Sequence, residues 1–280
     1  MEYITLNNGV KMPLVGFGTV QMFDDVCVQA VADAIVNGYP MIDAAHMYRN
    51  EAEVGKGIKL GLERSGKKRE DLFIVSKVND KFTSYEKTWE GVKKSLENLQ
   101  TDYLDLYLVH EPYPEAVEMY RALEEAYEQG IVRAIGISNF NKLGYDRFCS
   151  QVKIIPMINQ IESNVFYPQN EFKKYMAEKG TCAEAWAPLS SGLGDVAGNE
   201  ILTKIAEKYG KTNAQVALRY LVQSGTPCIP RSKNPERQKQ NLDLFSFALT
   251  EEEMAEISTI DGGKTFHDWM DEWNAEGWNK

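Results

Sequence analysis

Residues 14–21 read "LVGFGTVQ", an apolar run ending in G-x-G, and two folds compete for it. A strand leading into two glycines, with Asp43 near the end of the next strand, imitates the start of a doubly wound dinucleotide-binding domain. That fold needs a third glycine where its helix packs against the strand, and Gln21 stands there. The competing reading takes "LVGFGT" as the first of eight β-rich runs. The others are "YPMIDA" (39–44), "LFIVSKV" (72–78), "LDLYLVH" (104–110), "VRAIGISN" (132–139), "PMINQIE" (156–162), "TCAEAWAP" (181–188) and "TPCIPRS" (226–232).

Stretches with helical spacing separate these runs. Trp89, Val92, Leu96 and Leu99 recur at three- and four-residue steps, as do Val117, Tyr120, Leu123 and Tyr127. Gly130 and Gly180 stand where two such helices should stop. Eight strand–helix units in 280 residues predict an α/β fold, a (β/α)8 TIM barrel. "YITLNNGVKMP" predicts an N-terminal β-hairpin around Asn8-Gly9, placed to cap the bottom of the barrel. Thr250 and Glu253 have capping-box spacing and predict an extra C-terminal helix, followed by an aromatic tail over 262–280. No linker interrupts the pattern, so residues 1–280 are expected to form one domain.

The chain carries 31 basic and 41 acidic residues, a net charge of −10, which argues against nucleic acid or an anionic membrane as partner. No signal-peptide pattern and no apolar run near the roughly 18 residues of a membrane span is present, so a cytoplasmic protein is expected. Cys27, Cys149, Cys182 and Cys228 are scattered and read as free thiols. "HEPYP" breaks the H-E-x-x-H zinc pattern at Pro114, and no metal is expected.

Barrel chemistry sits at the C-terminal ends of the strands, and here those ends are polar. They carry Asp43 and then Tyr48, Lys77, His110, Ser138 with Asn139, Gln160, Trp186, and Arg231 with Ser232. A tyrosine is a reluctant acid at neutral pH, with a pKa of about 10. A lysine roughly 4 Å away would stabilise its phenolate by about 4 kcal/mol at an effective dielectric of about 20, enough to bring it near 7. Asp43 would hold that lysine, and His110 would orient a substrate carbonyl. In "MIDAAHMYRNE" (41–51), Tyr48 is therefore the expected proton donor. His46 is expected to be structural, and Asn50 and Glu51 to open the next helix. Hydride from a nicotinamide is the fitting attacker. Ser138, Asn139 and Gln160 suit its carboxamide, and Trp186 offers a flat face. "IPRSKNPER" gathers Arg231, Ser232, Lys233 and Arg237 at a helix start, which suits a phosphate such as the 2′-phosphate of NADPH.

From about residue 3 to 261 the sequence resembles the aldo-keto reductase family, specifically its bacterial diketogluconate-reductase-like branch. "DAAHMYRNE", "VSKV", "LVHEP", "GISNF", "NQIE", "EAWAPL" and "IPRSKNPERQKQN" follow the family's signatures in order. The resemblance implies Tyr48 as general acid, with Asp43, Lys77 and His110 completing a catalytic tetrad, and NADPH/NADP+ as cofactor. It implies cofactor contacts from Ser138, Asn139, Gln160, Trp186, Arg231, Ser232 and Arg237, with Gln240 and Asn241 near the adenine. Thr19, Leu189 and Ser191 would lie along the cofactor.

Departures fall in the substrate pocket. Glu111 replaces the common Trp after the histidine, "KVND" lacks the family's second tryptophan, and Asn164-Val165 replaces His-Pro. Arg231 stands for the usual Lys. Val20, Met47, Glu111 and Trp269 are the expected pocket residues. Phe266, His267, Trp269, Trp273 and Trp278 of the tail either line that pocket or lie on the outside. Glu111 is expected to disfavour acidic substrates. The predicted function is NADPH-dependent reduction of aldehydes, ketones or keto-sugars by a monomer or weak homodimer. The alternative is an NADPH-binding barrel serving as a redox-sensing partner subunit.

Overall fold

The computed structural model describes residues 1–267, 269, 270 and 278. A hairpin of β1 (Tyr3–Thr5) and β2 (Lys11–Pro13) comes first, paired Tyr3 to Pro13 and Thr5 to Lys11. Gly9 turns the chain with φ 86° and donates its N–H to the Leu6 carbonyl, as the Asn-Gly signal predicts. Asn8 Nδ2 donates to the Arg133 carbonyl at 2.9 Å, just before the strand at 135–138, so the hairpin covers the N-terminal end of the barrel.

Seven parallel strands follow in chain order: β3 (Phe17–Gly18), β4 (Met41–Asp43), β5 (Phe73–Val78), β6 (Leu106–Val109), β7 (Ile135–Ser138), β8 (Ile158–Glu162) and β9 (Cys182–Trp186). Around them run α1 (Asp24–Asn37), α2 (Glu51–Ser65), α3 (Tyr85–Leu99), α4 (Ala116–Glu128), α5 (Lys142–Cys149) and α6 (Asn170–Glu178). The strands are buried on both faces, yet only some read as apolar runs: β6 is wholly apolar, whereas β5, β8 and β9 bury Lys77, Gln160 and Glu184.

The eighth expected strand forms isolated parallel bridges, Val15 to Cys228 and Ala185 to Cys228, instead of a full ladder. Pro227 and Pro230 supply no N–H, so only part of the ladder can form. The bonds that remain are enough to close the barrel. Cys228 donates to Leu14 and accepts from Gly16, while Ala185 donates to Pro227 and Gly18 to Pro230. This closure explains the G-x-G of residues 16–18. A Cβ on Gly18 would sit 2.8 Å from the Ile229 carbonyl oxygen. The glycine permits close backbone approach at the seam.

Beyond β9 lie α7 (Glu200–Tyr209) and α8 (Asn213–Gln223), one helix more than the repeat demands. α8 is buried continuously from Gln215 to Val222. α9 (Pro235–Leu242) follows the eighth segment, and then comes α10 (Glu251–Ser258). Thr250 and Glu253 cap each other reciprocally, as their spacing predicts. On α3 the buried face is Thr88, Gly91, Val92, Ser95 and Leu99, with Trp89 and Leu96 only flanking it. Small and polar residues hold the centre because Ser95 faces a buried polar cluster described below. Among the described residues, no helix is long and apolar enough to cross a membrane.

Candidate active site

Side chains alternate along a strand, so Lys77 on β5 points into the barrel and its neighbour Ser76 points out to α2. Lys77 Nζ donates to both Asp43 carboxylate oxygens at 2.6 and 2.8 Å, to the Ala44 carbonyl at 3.1 Å and to Tyr48 Oη at 3.1 Å. Lys77 is fully buried and Asp43 nearly so. Tyr48 hangs from a short 3-10 turn, His46–Tyr48, directly after β4, and that turn brings its hydroxyl back to the lysine. The His110 ring meets the Tyr48 ring edge-on at 5.6 Å.

Burial dominates the electrostatics. It pushes the Tyr48 phenol up to about 12, against the pull of Lys77, while Asp43 and Glu111 push further upward. The sequence-based expectation of a tyrosine near 7 is thus corrected. A lysine already neutralised by a carboxylate at 2.6 Å lowers the phenol less than a free ammonium would. Burial works against the Lys77 charge, but Asp43 and Tyr48 outweigh it and hold the ammonium above the ordinary lysine value. Burial first, and then the charges of Lys77 and His46, keep His110 well below the usual histidine value, so its imidazole is neutral at pH 7.

The other expected residues gather along the same rim. Ser138 Oγ donates to the Gln160 carbonyl at 2.9 Å, and Asn139 bridges Glu111 and Trp186. Gln160 Nε2 donates to Asp43 Oδ2 at 3.0 Å and to Glu184 Oε2 at 2.8 Å. With both amide protons spent on carboxylates, Gln160 has only an acceptor oxygen left to offer a ligand. Thr19 Oγ1 donates to the Asp43 carbonyl at 2.8 Å. Leu189 and Ser191 lie on the loop after β9, where Ser190 and Ser191 both adopt positive φ. Arg231 and Arg237 are exposed at the start of α9, and Arg231 Nη1 donates to the Val20 carbonyl at 2.6 Å and to Gln21 Oε1 at 2.8 Å. Ser232 Oγ hydrogen-bonds the Asn234 carbonyl, Gln240 is exposed and Asn241 is buried. Val20, Met47 and Trp269 are exposed at the mouth, whereas Glu111 is buried.

The described part of the tail lies over the C-terminal ends of the strands. Thr265 and His267 meet Glu162 at the end of β8, and the Trp269 ring stacks on Trp186 at 5.8 Å. Trp278 Nε1 donates to the Tyr113 carbonyl at 2.7 Å. Trp273 lies outside the described residues.

His46 does no obvious proton work. It packs in a sealed cluster with Glu51, which also accepts from Ser76, Ser95 and Asn98. This cluster pins the turn that carries Tyr48 to α2 and α3. Glu51, expected only to open a helix, is its hub.

Glu184 was not anticipated, although strand parity signals it: Cys182, Glu184 and Trp186 share one face of β9. It is fully buried, and its Oε1 has no hydrogen-bond partner among the described residues. Burial first, with Asp43's charge second, pushes it up to about 8 from 4.5. The folded protein therefore keeps a proton that the unfolded chain releases, and stability falls as pH rises from about 4.5 to 8. Glu184→Gln cannot titrate and should lose on the order of 2 kcal/mol less stability across that window, as urea midpoints would report. An unchanged pH slope would contradict the assignment. Glu111, also pushed up to about 8, contributes a second part of the decline.

Comparison with known proteins agrees with this geometry. Residues 14–261 match the aldo/keto reductase family model. The chain is 42% identical over 261 residues to a glyoxal reductase of Bacillus subtilis, covering 92% of each protein. It is 36% identical to a morphine 6-dehydrogenase of Pseudomonas putida, over 93% of this chain and 91% of that one. The solved structure of a Bombyx mori aldo-keto reductase in complex with NADP superimposes with a TM-score of 0.91 at 32% identity, covering 100% of this chain and 99% of that one. A family match across nearly the whole barrel, on a fold with Asp43, Tyr48, Lys77 and His110 drawn together at one end, leads to a plain conclusion: the chain belongs to the aldo/keto reductase family.

Proposed function

We propose that the protein is an NADPH-dependent reductase of aldehydes, ketones or keto-sugars, with Tyr48 as general acid. The observation that carries this reading is Lys77 Nζ, 2.6 Å from Asp43 and 3.1 Å from Tyr48 Oη, beside the His110 ring. The family uses NADP(H), and bound NADPH supplies the hydride.

Tyr48 enters turnover as a phenol, since its pKa lies well above neutrality. It donates its proton to the carbonyl oxygen as negative charge develops there. The phenolate that remains is held by the Lys77 ammonium, and Asp43 keeps that ammonium charged and aimed. His110, neutral and buried, orients the carbonyl oxygen by a hydrogen bond. Ser138, Asn139 and Gln160 would hold the nicotinamide carboxamide, and the acceptor oxygen of Gln160 suits its NH2 group. Trp186 would support the ring. Thr19, Leu189 and Ser191 would flank the cofactor, with Gln240 and Asn241 by the adenine. The exposed guanidinium groups of Arg231 and Arg237, with Ser232, would hold the 2′-phosphate. Val20, Met47 and Trp269 give the mouth an apolar rim, suited to the carbon skeleton of a small carbonyl compound.

The test is a panel of aldehydes, diketones, keto acids and keto-sugars, followed by consumption of NADPH and of NADH. NADPH-dependent turnover is expected. Arg231→Ala should weaken NADPH by about tenfold or more, the worth of a charge-assisted hydrogen bond, while NADH changes little. Equal losses for both cofactors would remove the 2′-phosphate contact from the reading. NADPH binding with no turnover on any carbonyl would favour the redox-sensing subunit instead.

A further inference from the structure

Glu51 opens α2, three residues after Tyr48, yet it is only 3% exposed. Four side chains converge on its carboxylate. Ser76 Oγ donates to Oε1 at 2.6 Å and Ser95 Oγ to the same oxygen at 2.7 Å. Asn98 Nδ2 donates to Oε2 at 3.2 Å, and His46 Nδ1 lies 3.1 Å from Oε2. Ser95 spends its one hydrogen on Glu51, so Tyr107 Oη donates to Ser95 Oγ at 3.0 Å. His46 Nε2 donates to the Gly91 carbonyl at 2.9 Å, since a carbonyl can only accept. These partners stand beside residues of the proposed reaction. Ser76 immediately precedes Lys77 on β5 and turns to the opposite face. Tyr107 is its register partner on β6, the strand that ends just before His110. His46 belongs to the turn that carries Tyr48. One buried carboxylate therefore ties together, from outside, the segments whose side chains meet inside as Tyr48 Oη and Lys77 Nζ at 3.1 Å.

We infer that Glu51 is a positioning residue of the reductase reaction, holding the Tyr48 turn in register with the strand that carries Lys77. The inference rests on the reading of Tyr48 as proton donor. Lys77 Nζ is fixed by both Asp43 oxygens and the Ala44 carbonyl, so the meeting with Tyr48 depends on where the turn places the phenol. A hydrogen bond is lost by about 3.6 Å, so a slip of about half an ångström takes the phenol out of reach. The far side of the turn has its own anchor, because Asn50 Nδ2 donates to the Thr19 and Met22 carbonyls, each at 2.8 Å. Loss of Glu51 thus shifts the turn without releasing it, and the chemical step should respond while the cofactor groove stays intact.

The experiment compares wild type with Glu51→Leu, Glu51→Gln, Tyr48→Phe and the Glu51→Leu/Tyr48→Phe double variant. Dissociation constants for NADPH are read from quenching of tryptophan fluorescence, kcat and KM from a neutral aldehyde, and folding from urea midpoints. Glu51→Leu should lower kcat by about tenfold to a hundredfold, the upper figure being the cost of a misplacement of about 1 Å. NADPH affinity and aldehyde KM should stay within about twofold. Glu51→Gln can turn its amide oxygen to Ser76 and Ser95 and its NH2 to His46 Nδ1, and should restore kcat to within about threefold of wild type. In the Tyr48→Phe background, Glu51→Leu should change the residual turnover by less than about twofold, because the donor it positions is gone. If Glu51→Leu folds poorly, Ser76→Ala and His46→Leu cut its links to the Lys77 strand and to the Tyr48 turn singly. Each should lower kcat by about threefold or more, and unchanged kcat in both would overturn the inference. With Tyr48→Phe impaired, a lowered urea midpoint but wild-type kcat in Glu51→Leu would make Glu51 a folding residue and overturn the inference alone. Equal losses from Glu51→Leu with and without the Tyr48 hydroxyl would also overturn it. Near wild-type turnover in Tyr48→Phe would instead overturn the reading of Tyr48, and the inference with it.

Discussion

Tyr48→Phe is expected to abolish most reductase turnover while leaving NADPH affinity as it was. Only one oxygen is removed, and the ring remains against His110 and above the Lys77 ammonium. General acid catalysis by a positioned side chain is worth about 10²–10⁴ in rate, and kcat should fall by that factor. The Lys77 ammonium loses one of four acceptors but keeps both Asp43 oxygens and the Ala44 carbonyl, so stability should change little. Steady-state kinetics beside a fluorescence titration of NADPH would decide it. Turnover within a few fold of wild type would rule out Tyr48 as the donor.

Lys77→Met should damage folding and catalysis together. Asp43 would be left nearly inaccessible to water, with Gln160 Nε2 as its remaining side-chain donor. Breaking a buried ion pair from one side costs about 3–5 kcal/mol, because the surviving charge has no compensation. The phenolate formed at Tyr48 would lose a cation at 3.1 Å, an attraction of about 5 kcal/mol at an effective dielectric of about 20, so turnover should drop by more than about 10³. Pairing Asp43→Asn with Lys77→Met removes both charges. That double variant should regain much of the stability, read from urea midpoints, but none of the turnover. Recovered activity would show that the ion pair serves folding alone.

The two outcomes separate because the site is built from parts with different legibility. Asp43, Lys77 and His110 stand at the ends of consecutive strands, and the alternation of side chains aims them inward, so their meeting follows from strand order. Tyr48 was legible for a related reason, since a short turn beside Asp43 is all that carries it. Its protonation was not legible. Sequence reveals that a lysine is near and that Asp43 can hold it, but not how strongly burial desolvates the phenol, and that burial reverses the expected shift. Glu184, Glu162 and the Glu51 cluster were overlooked for the same reason. A carboxylate in a sequence is ordinarily a solvated charge, and only packing against other elements makes it a buried one. The placement of the tail was likewise not readable from sequence: among its described residues Thr265 bonds Glu162 at the end of β8 and Trp278 donates to the Tyr113 carbonyl.

"LVGFGTVQ" shows where the division falls. The missing third glycine at Gln21 and the eightfold alternation favoured the barrel over a doubly wound domain from sequence alone, because periodicity and backbone stereochemistry are local properties. The use of Gly18 was settled only in three dimensions. It lies 211 residues before Ile229 in the chain, whose carbonyl would meet any Cβ there at 2.8 Å, and Arg231 then ties the loop after Gly18 by its contacts to Val20 and Gln21. Local pattern determined which elements form and which strand ends carry chemistry. Barrel closure decided which charges are buried, which donors are spent and which side chains hold one another, because those depend on approach between residues far apart in the chain.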